Sequence, residues 1–300
     1  SQPSQLWVIN SANYSVVIIT EPRKKSVTFE RRRDPAASHF MDNPPALAMG
    51  AVSEEWGQTF GICGDSDNGG DDFMGPALFS ARLDVFATAT PTGLGSHLDM
   101  LHSTPYCRGI EHIEGNAYFV FNSVRGSLDR YDFAHDHGPG NDDHSDGEIL
   151  RYVDGALTGV EGIPSHLAYD AESKLLYVAD TGTGRVLALD TTSGSLAQGF
   201  GGLEPVEVRN HMRDAVLTEF VPAGTLTSPS GVEFSGGVIF VSDTATSTFY
   251  AFSAKGKLLN EFATGLPPGS LAGFEISPGG KVHFVDMLAG RVMRIDPIKD

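Results

Sequence analysis

Three stretches of the C-terminal half repeat one design: LYVADTGTGRVLALD (176–190), IFVSDTATSTFYAFS (239–253) and HFVDMLAGRVMRID (283–296). Each is an apolar, alternating strand that ends in Asp, then a polar turn, then a second alternating strand. Asp180, Asp243 and Asp286 stand six residues before Val186, Phe249 and Val292. The N-terminal half repeats the spacing with Asn, from Asn10 to Val16 and from Asn122 to Leu128. An internal repeat constrains a fold more than any other feature, because missing it misreads the whole chain. An Asp or Asn side chain at such a corner accepts backbone N–H groups two residues on and stabilises the turn, so all five are read as structural.

A preceding strand is predicted in each later unit: RGIEHIEG (108–115), SHLAYD (165–170), SGVEFSGG (230–237) and AGFEISPGG (272–280). A sixth, irregular unit fits between residues 44 and 93, with ALAMGAV, TFGICGDS and ALFSARLDVF as strands and DSDNGGDDFMGP in place of a short turn. The first unit has strands at 6–10, 15–20 and 26–30 but no inner strand, and the last lacks an outer one. In the words PSHLAYDAESKLLYVADTGTGRVLALD and SPSGVEFSGGVIFVSDTATSTFYAF the chain resembles the NHL-repeat family. That resemblance implies an all-β fold, a six-bladed β-propeller over residues 1–300, and says little about activity, because propellers host many. A more distant similarity is to the peptidyl-hydroxyglycine lyase propeller. It implies a zinc held by histidines at the starts of inner strands, in a Pro-His-small pattern. The matching positions here are Pro45, Arg108, Ser165, Ser230 and Ala272, with His166 displaced by one, so that ligand set does not transfer.

Composition agrees. Glycine, at 35 residues, and 17 prolines describe many tight turns and short strands. The formal charge of −17 repels phosphate backbones and favours cations, which argues against nucleic acid as a partner. No apolar run of eighteen residues occurs, so the chain is not expected to span a membrane. A start at Ser1 suits a processed export product, secreted or periplasmic. Cys63 and Cys107 lie in neighbouring predicted blades; a disulfide and two buried free thiols are both open readings.

The densest chemistry is AHDHGPGNDDHSDGE (134–148), between strands SLDRYDF and EILRYV. It packs His135, His137 and His144 among Asp136, Asp142, Asp143 and Asp146, on a loop longer than a hairpin needs. Carboxylate oxygens at close spacing suit calcium; imidazoles suit zinc, copper or iron. The bland alternative is a solvated loop. It is not an EF-hand, since the D-x-D-x-D-G order is absent. A second cluster, GSHLDMLHSTPYCRG (95–109), offers His97, Asp99 and His102 on a predicted blade-to-blade connection at the channel mouth, with His39 and His166 on the same face. These converge on a metal with open positions, or else are separate hydrogen-bonding loop residues. Arg108 is expected to point into the channel and, with His166, to contact a ligand. His112 and His283, inside strands, are read as packed.

No G-x-S-x-G elbow or phosphate loop appears. The run RKKSVTFERRR (23–33) reads as a charged edge strand. Two functions follow. One is an exported metal-binding propeller that recognises a small molecule, peptide or protein partner. The other is a metal-dependent lyase, hydrolase or oxidase with a histidine-held metal at the channel mouth. Oligomeric state is not readable from the sequence.

Overall fold

A computed structural model describes residues 4–70 and 72–296. Sheet one holds β1 (Gln5–Asn10), β2 (Ser15–Thr20) and β3 (Thr28–Arg32). Sheet two holds β4 (Ala46–Ser53), β5 (Gly57–Cys63), β6 (Ala77–Ser80) and β7 (His97–Met100), joined in that order. Sheet three begins with β8 (Cys107–Glu114), β9 (Ala117–Asn122), β10 (Ser127–Asp132) and β11 (Glu148–Tyr152). Sheet four starts as β12 (Leu167–Asp170), β13 (Leu175–Asp180) and β14 (Arg185–Asp190). The next hairpin, β15 (Ser195–Gly199) and β16 (Val208–Arg213), leaves sheet four and extends sheet three, with β16 beside β11. Then β17 (Leu217–Val221) returns beside β14. Sheet five is β18 (Pro229–Ser235), β19 (Val238–Asp243), β20 (Thr248–Ser253) and β21 (Leu258–Ala263); sheet six is β22 (Leu271–Ser277), β23 (Lys281–Asp286) and β24 (Arg291–Ile295). The three-stranded first and last sheets agree with the strands expected to be missing there. Among the described residues helix is limited to α1 (Ala37–Phe40) and three short 3₁₀ turns, and no helix is long and apolar enough to cross a membrane.

Alternation buries both faces of the middle strands, so apolar cores form between successive sheets. Phe60, Ile62 and Phe79 of sheet two close on Val16 and Ile18 of sheet one. Leu78 and Leu98 meet Ile110, Tyr118 and Val120 of sheet three. In the later sheets, Tyr177, Ala179 and Val186 pack with Val232, Ile239 and Val241. The chain divides into two compact units. The first runs to Val124 and takes in Leu128–Arg151 and Gln198–His211; the second holds Arg125–Ser127, Tyr152–Ala197 and the chain from Met212 onward.

The repeated Asp residues are structural, as expected. Asp180 accepts the Thr158 amide (2.7 Å), the Thr183 hydroxyl (2.5 Å) and Arg185 Nε (2.7 Å). Asp243 accepts the Thr227 and Thr246 amides, and Asp286 the Ala289 amide. Two strand expectations need correction. ALFSARLDVF is a strand only to Ser80, because the Ser80 hydroxyl accepts the Arg82 amide and Arg82 reaches back to Glu55 O, which turns the chain. The segment from 95 is not wholly a connection, since His97–Met100 forms the outermost strand of sheet two. Cys63, ending β5, and Cys107, opening β8, form a disulfide with Cα atoms 6.0 Å apart. The free-thiol alternative falls.

Candidate metal centre

The two sequence clusters are one site, all within the first unit. After β10, Asp132 accepts the Ala134 amide and the chain turns back along β7. His137 N then donates to Leu98 O (3.0 Å) and Gly140 N to His97 O (2.8 Å). Gly140 has φ +76°, and a Cβ there would lie 2.3 Å from Thr90 Oγ1, so glycine is required twice over. Further on, Asp143 accepts from the Ser145 amide and hydroxyl and opens a 3₁₀ turn over His144–Asp146. The loop is thus tied to the sheet through its backbone, while His135, Asp142 and Asp143 stay exposed.

On β7 the register shifts between His97, opposite Phe79, and Asp99, opposite Leu78, so a bulge sends the two side chains to different faces of the sheet. Both are fully buried. Buried Asp34 holds the strand's start, accepting the Ser96 amide (2.8 Å) and hydroxyl (2.6 Å). Asp99 Oδ2 lies 3.8 Å from His137 Nε2, which lies 3.4 Å from Asp146 Oδ1. Ligand atoms of Asp99, His137 and Asp146 all fall within 4.8 Å of one another. Atoms about 2.0–2.2 Å from a shared ion sit roughly 3–4 Å apart, so this spacing suits one cation.

Electrostatics point the same way. Burial pushes the Asp99 carboxyl up to about 9, against the Met100 amide it accepts from and reinforced by the charges of Asp146, Asp142 and Asp143. A divalent cation at this point reverses that balance and lets the carboxylate ionise. Two carboxylates and an imidazole form a mixed oxygen and nitrogen set, open to calcium, manganese or zinc.

Other expected residues take other places. Asp136 accepts from the Ser53 hydroxyl (2.9 Å). His135 is 85% exposed, with Nδ1 3.2 Å from Asp146 Oδ2. His97 Nε2 stands 3.6 Å from Asp142 Oδ2, and burial holds its pKa below the usual imidazole value despite the Leu94 carbonyl and Asp142. The His144 ring meets His102 edge-on at 5.1 Å. Arg108 is buried in an ion pair with Asp65. His166 belongs to the second unit, where its amide donates to Ser230 O and its ring fills the space beside Gly273.

Glu204 belongs to no motif or cluster that marks it in the sequence. It sits in the β15–β16 hairpin loop with Oε2 3.0 Å from His102 Nδ1, and Arg209 Nη2 holds its other oxygen at 3.0 Å. Burial opposes ionisation of Glu204, but the His102 ring and amide and Arg209 outweigh it and keep the carboxyl below its usual value. The residues beneath are locked as well. Arg151 pairs with Asp129 and donates to Ser103 O, while Tyr131 donates to His102 O (2.9 Å). Between these grips Ser103 takes φ +92°, a strained backbone for a residue with a side chain.

No protein-family profile matches the chain, and no curated protein sequence matches it. Solved structures do. An auxiliary nutrient binding protein from Bacteroides thetaiotaomicron is similar over 97% of this chain and 65% of its own, at 11% identity and a TM-score of 0.61. A streptogramin B lyase is similar over 95% of this chain and 74% of its own, at 11% identity and a TM-score of 0.56. Virginiamycin B lyase from Staphylococcus aureus is similar over 100% of this chain and 83% of its own, at 11% identity and a TM-score of 0.55. The fold is a six-bladed β-propeller. At such identities the likeness speaks for the propeller alone, and the chemistry rests on this chain's own residues.

Proposed function

We propose that this propeller, of the NHL kind, is an exported cation-binding protein whose metal centre takes part in recognising a small molecule, peptide or protein partner. One observation carries the reading: Asp99, His137 and Asp146 converge within 4.8 Å around a buried carboxyl. The Cys63–Cys107 disulfide supports an oxidising compartment outside the cytosol. A nutrient-binding protein among the structural neighbours is in keeping with ligand recognition. A second reading, a metal-dependent enzyme, is favoured by the carboxylate-backed imidazole of His102 in the same unit.

Chelator-treated protein titrated with calcium and with manganese, and followed by calorimetry and thermal melting, tests the reading. A cation bound only by the folded chain stabilises it by roughly 2.7 kcal/mol at a hundredfold excess over its dissociation constant. Asp146→Asn should remove that gain while leaving the β-rich circular dichroism unchanged. Melting curves unaffected by chelator and by either ion, with no metal found by plasma mass spectrometry, would sink it.

A further inference from the structure

One segment carries charge of the opposite sign to the chain around it. Residues 23–33, RKKSVTFERRR, hold six cations and one glutamate, a net of +5, while the rest of the chain sums to −22. The segment forms most of the turn after β2 and the whole of β3, the edge strand of sheet one. Along one side β3 pairs with β2; along the other no strand pairs with it among the described residues. Arg23, Lys24, Lys25, Arg31 and Arg33 are exposed. Lys24 meets Glu21 (3.0 Å) and Arg33 Nε donates to Asn13 O (3.1 Å), but Arg23, Lys25 and Arg31 have no carboxylate partner among the described residues.

Register separates these side chains by role. Glu30 lies opposite Ile18 and Arg32 opposite Val16, both core residues of β2, and Arg32 Nη1 donates to Phe86 O (3.3 Å) and to Leu83 O. Phe29 and Arg31 alternate to the other face. Phe29 is 78% exposed, more than any other large apolar side chain among the described residues, and Val27 is 49% exposed. Cations on an edge strand defend it against pairing with another chain. That defence needs no aromatic ring beside them, and a phenyl left in water forgoes the gain of burial. Cations around an exposed aromatic are the chemistry of an interfacial anchor, in which the ring enters the headgroup boundary and the charges meet phosphate.

We propose that residues 23–33 dock the protein on an anionic lipid surface, with Phe29 and Val27 in the headgroup layer and Arg23, Lys25 and Arg31 on the lipid phosphates. The inference goes beyond the cation-binding reading above and does not require it. Two apolar side chains on so short a segment fall far short of the roughly 1,200–2,000 Å² that a stable protein interface buries. A lipid surface asks for less, since each basic side chain near it strengthens binding about 5-fold. Nucleic acid fits less well, because Val27 has no face on which a base can stack. The acidic remainder of the chain is repelled by the same surface, and salt screens that repulsion beyond about 8 Å. Contact is therefore open to a basic edge element and closed to the acidic bulk.

Co-sedimentation of the full chain with phosphatidylcholine vesicles, containing or lacking phosphatidylglycerol, tests this. Chelator is present throughout, so that no cation bridges the acidic groups to lipid. Binding is expected only on the anionic vesicles and should fade as salt rises. Arg23→Ser, Lys25→Ser and Arg31→Ser together should weaken it about 100-fold, and Phe29→Ser alone about 10-fold. All four side chains are exposed, so circular dichroism should not change. Phe29→Trp should keep binding and shift its added indole emission to the blue on anionic vesicles, a response that a merely structural residue would not give. No binding to anionic vesicles overturns the proposal, and so does binding that both serine variants leave intact. Binding that needs the cations but not Phe29 overturns it too, because the contact is then charge adsorption without an anchor. Heparin or single-stranded DNA held through the same cations, with vesicles not held, assigns the segment to a soluble polyanion and overturns it as well.

Discussion

His102 Nδ1 lies 3.0 Å from Glu204 Oε2, although 102 positions separate the two residues in the chain. The contact exists because the β15–β16 hairpin, encoded after the third strand of sheet four, adds to sheet three. Glu204 also accepts the His102 amide at 3.2 Å, so one carboxylate holds the backbone of that residue and faces its ring. From below, Asp129, Arg151 and Tyr131 hold the same short stretch.

The Asp129–Arg151 ion pair should therefore matter to the site as well as to stability. Both side chains are buried, and removing one charge leaves the other uncompensated. Asp129→Asn is expected to cost about 3–5 kcal/mol in denaturant unfolding. Tyr131→Phe, which loses the hydroxyl's bonds to His102 O and Thr104 Oγ1, should cost about 1–3 kcal/mol. Equal, negligible losses for both variants would show that the network does not support residues 102–104.

Gly140→Ala tests whether the acidic loop must lie against β7. The added methyl meets Thr90 Oγ1, and φ +76° disfavours any side chain. A loss of about 1–2 kcal/mol, with a weaker calcium response in the same melting assay, is expected. Unaltered stability and calcium affinity would mean that the loop does not depend on this register.

Asp99 gives the metal-free protein a pH dependence of definite sign. Its folded-state pKa of about 9 lies above the ordinary carboxyl value of 3.8. Between those values the folded state keeps a proton that the unfolded state releases, so stability falls as pH rises across the window and levels off above it. In chelator, Asp99→Asn should flatten the decline in melting temperature between about pH 5 and about pH 9. Parallel curves for variant and wild type would contradict the buried carboxyl.

For the cysteines, thiol titration of unreduced, denatured protein should find none reactive. Reduction should then lower stability by about 2–4 kcal/mol, because the bridge spans 44 residues of the unfolded chain. Two reactive thiols before reduction would rule out the bond.

The sheets were legible because period-two alternation and the Asp or Asn corner are local signals, and both survive into Asp180, Asp243 and Asp286. His137, Asp146 and Asp99 were legible as ligand types but not as neighbours. Nothing local announces that Gly140 N will bond to His97 O, since the pairing joins a loop of sheet three to the edge of sheet two. Strand β7 was hidden because its sequence, HLDM, is short and half polar. Glu204 was out of reach for a stronger reason. Its partner is set by which sheet a hairpin joins, and no alternation within Val208–Arg213 encodes that choice.

That hairpin has a consequence for how such a protein diversifies. Propellers are usually pictured as strings of interchangeable modules, each copied or exchanged as one block of sequence. Here a block ending after β11 carries His97, Asp99, His102 and the acidic loop but leaves Glu204 and Arg209 behind, in the interval between β14 and β17. Recombination at the repeat boundaries would thus transplant the imidazoles without the carboxylate that faces one of them. The site can be inherited whole only if both intervals travel together.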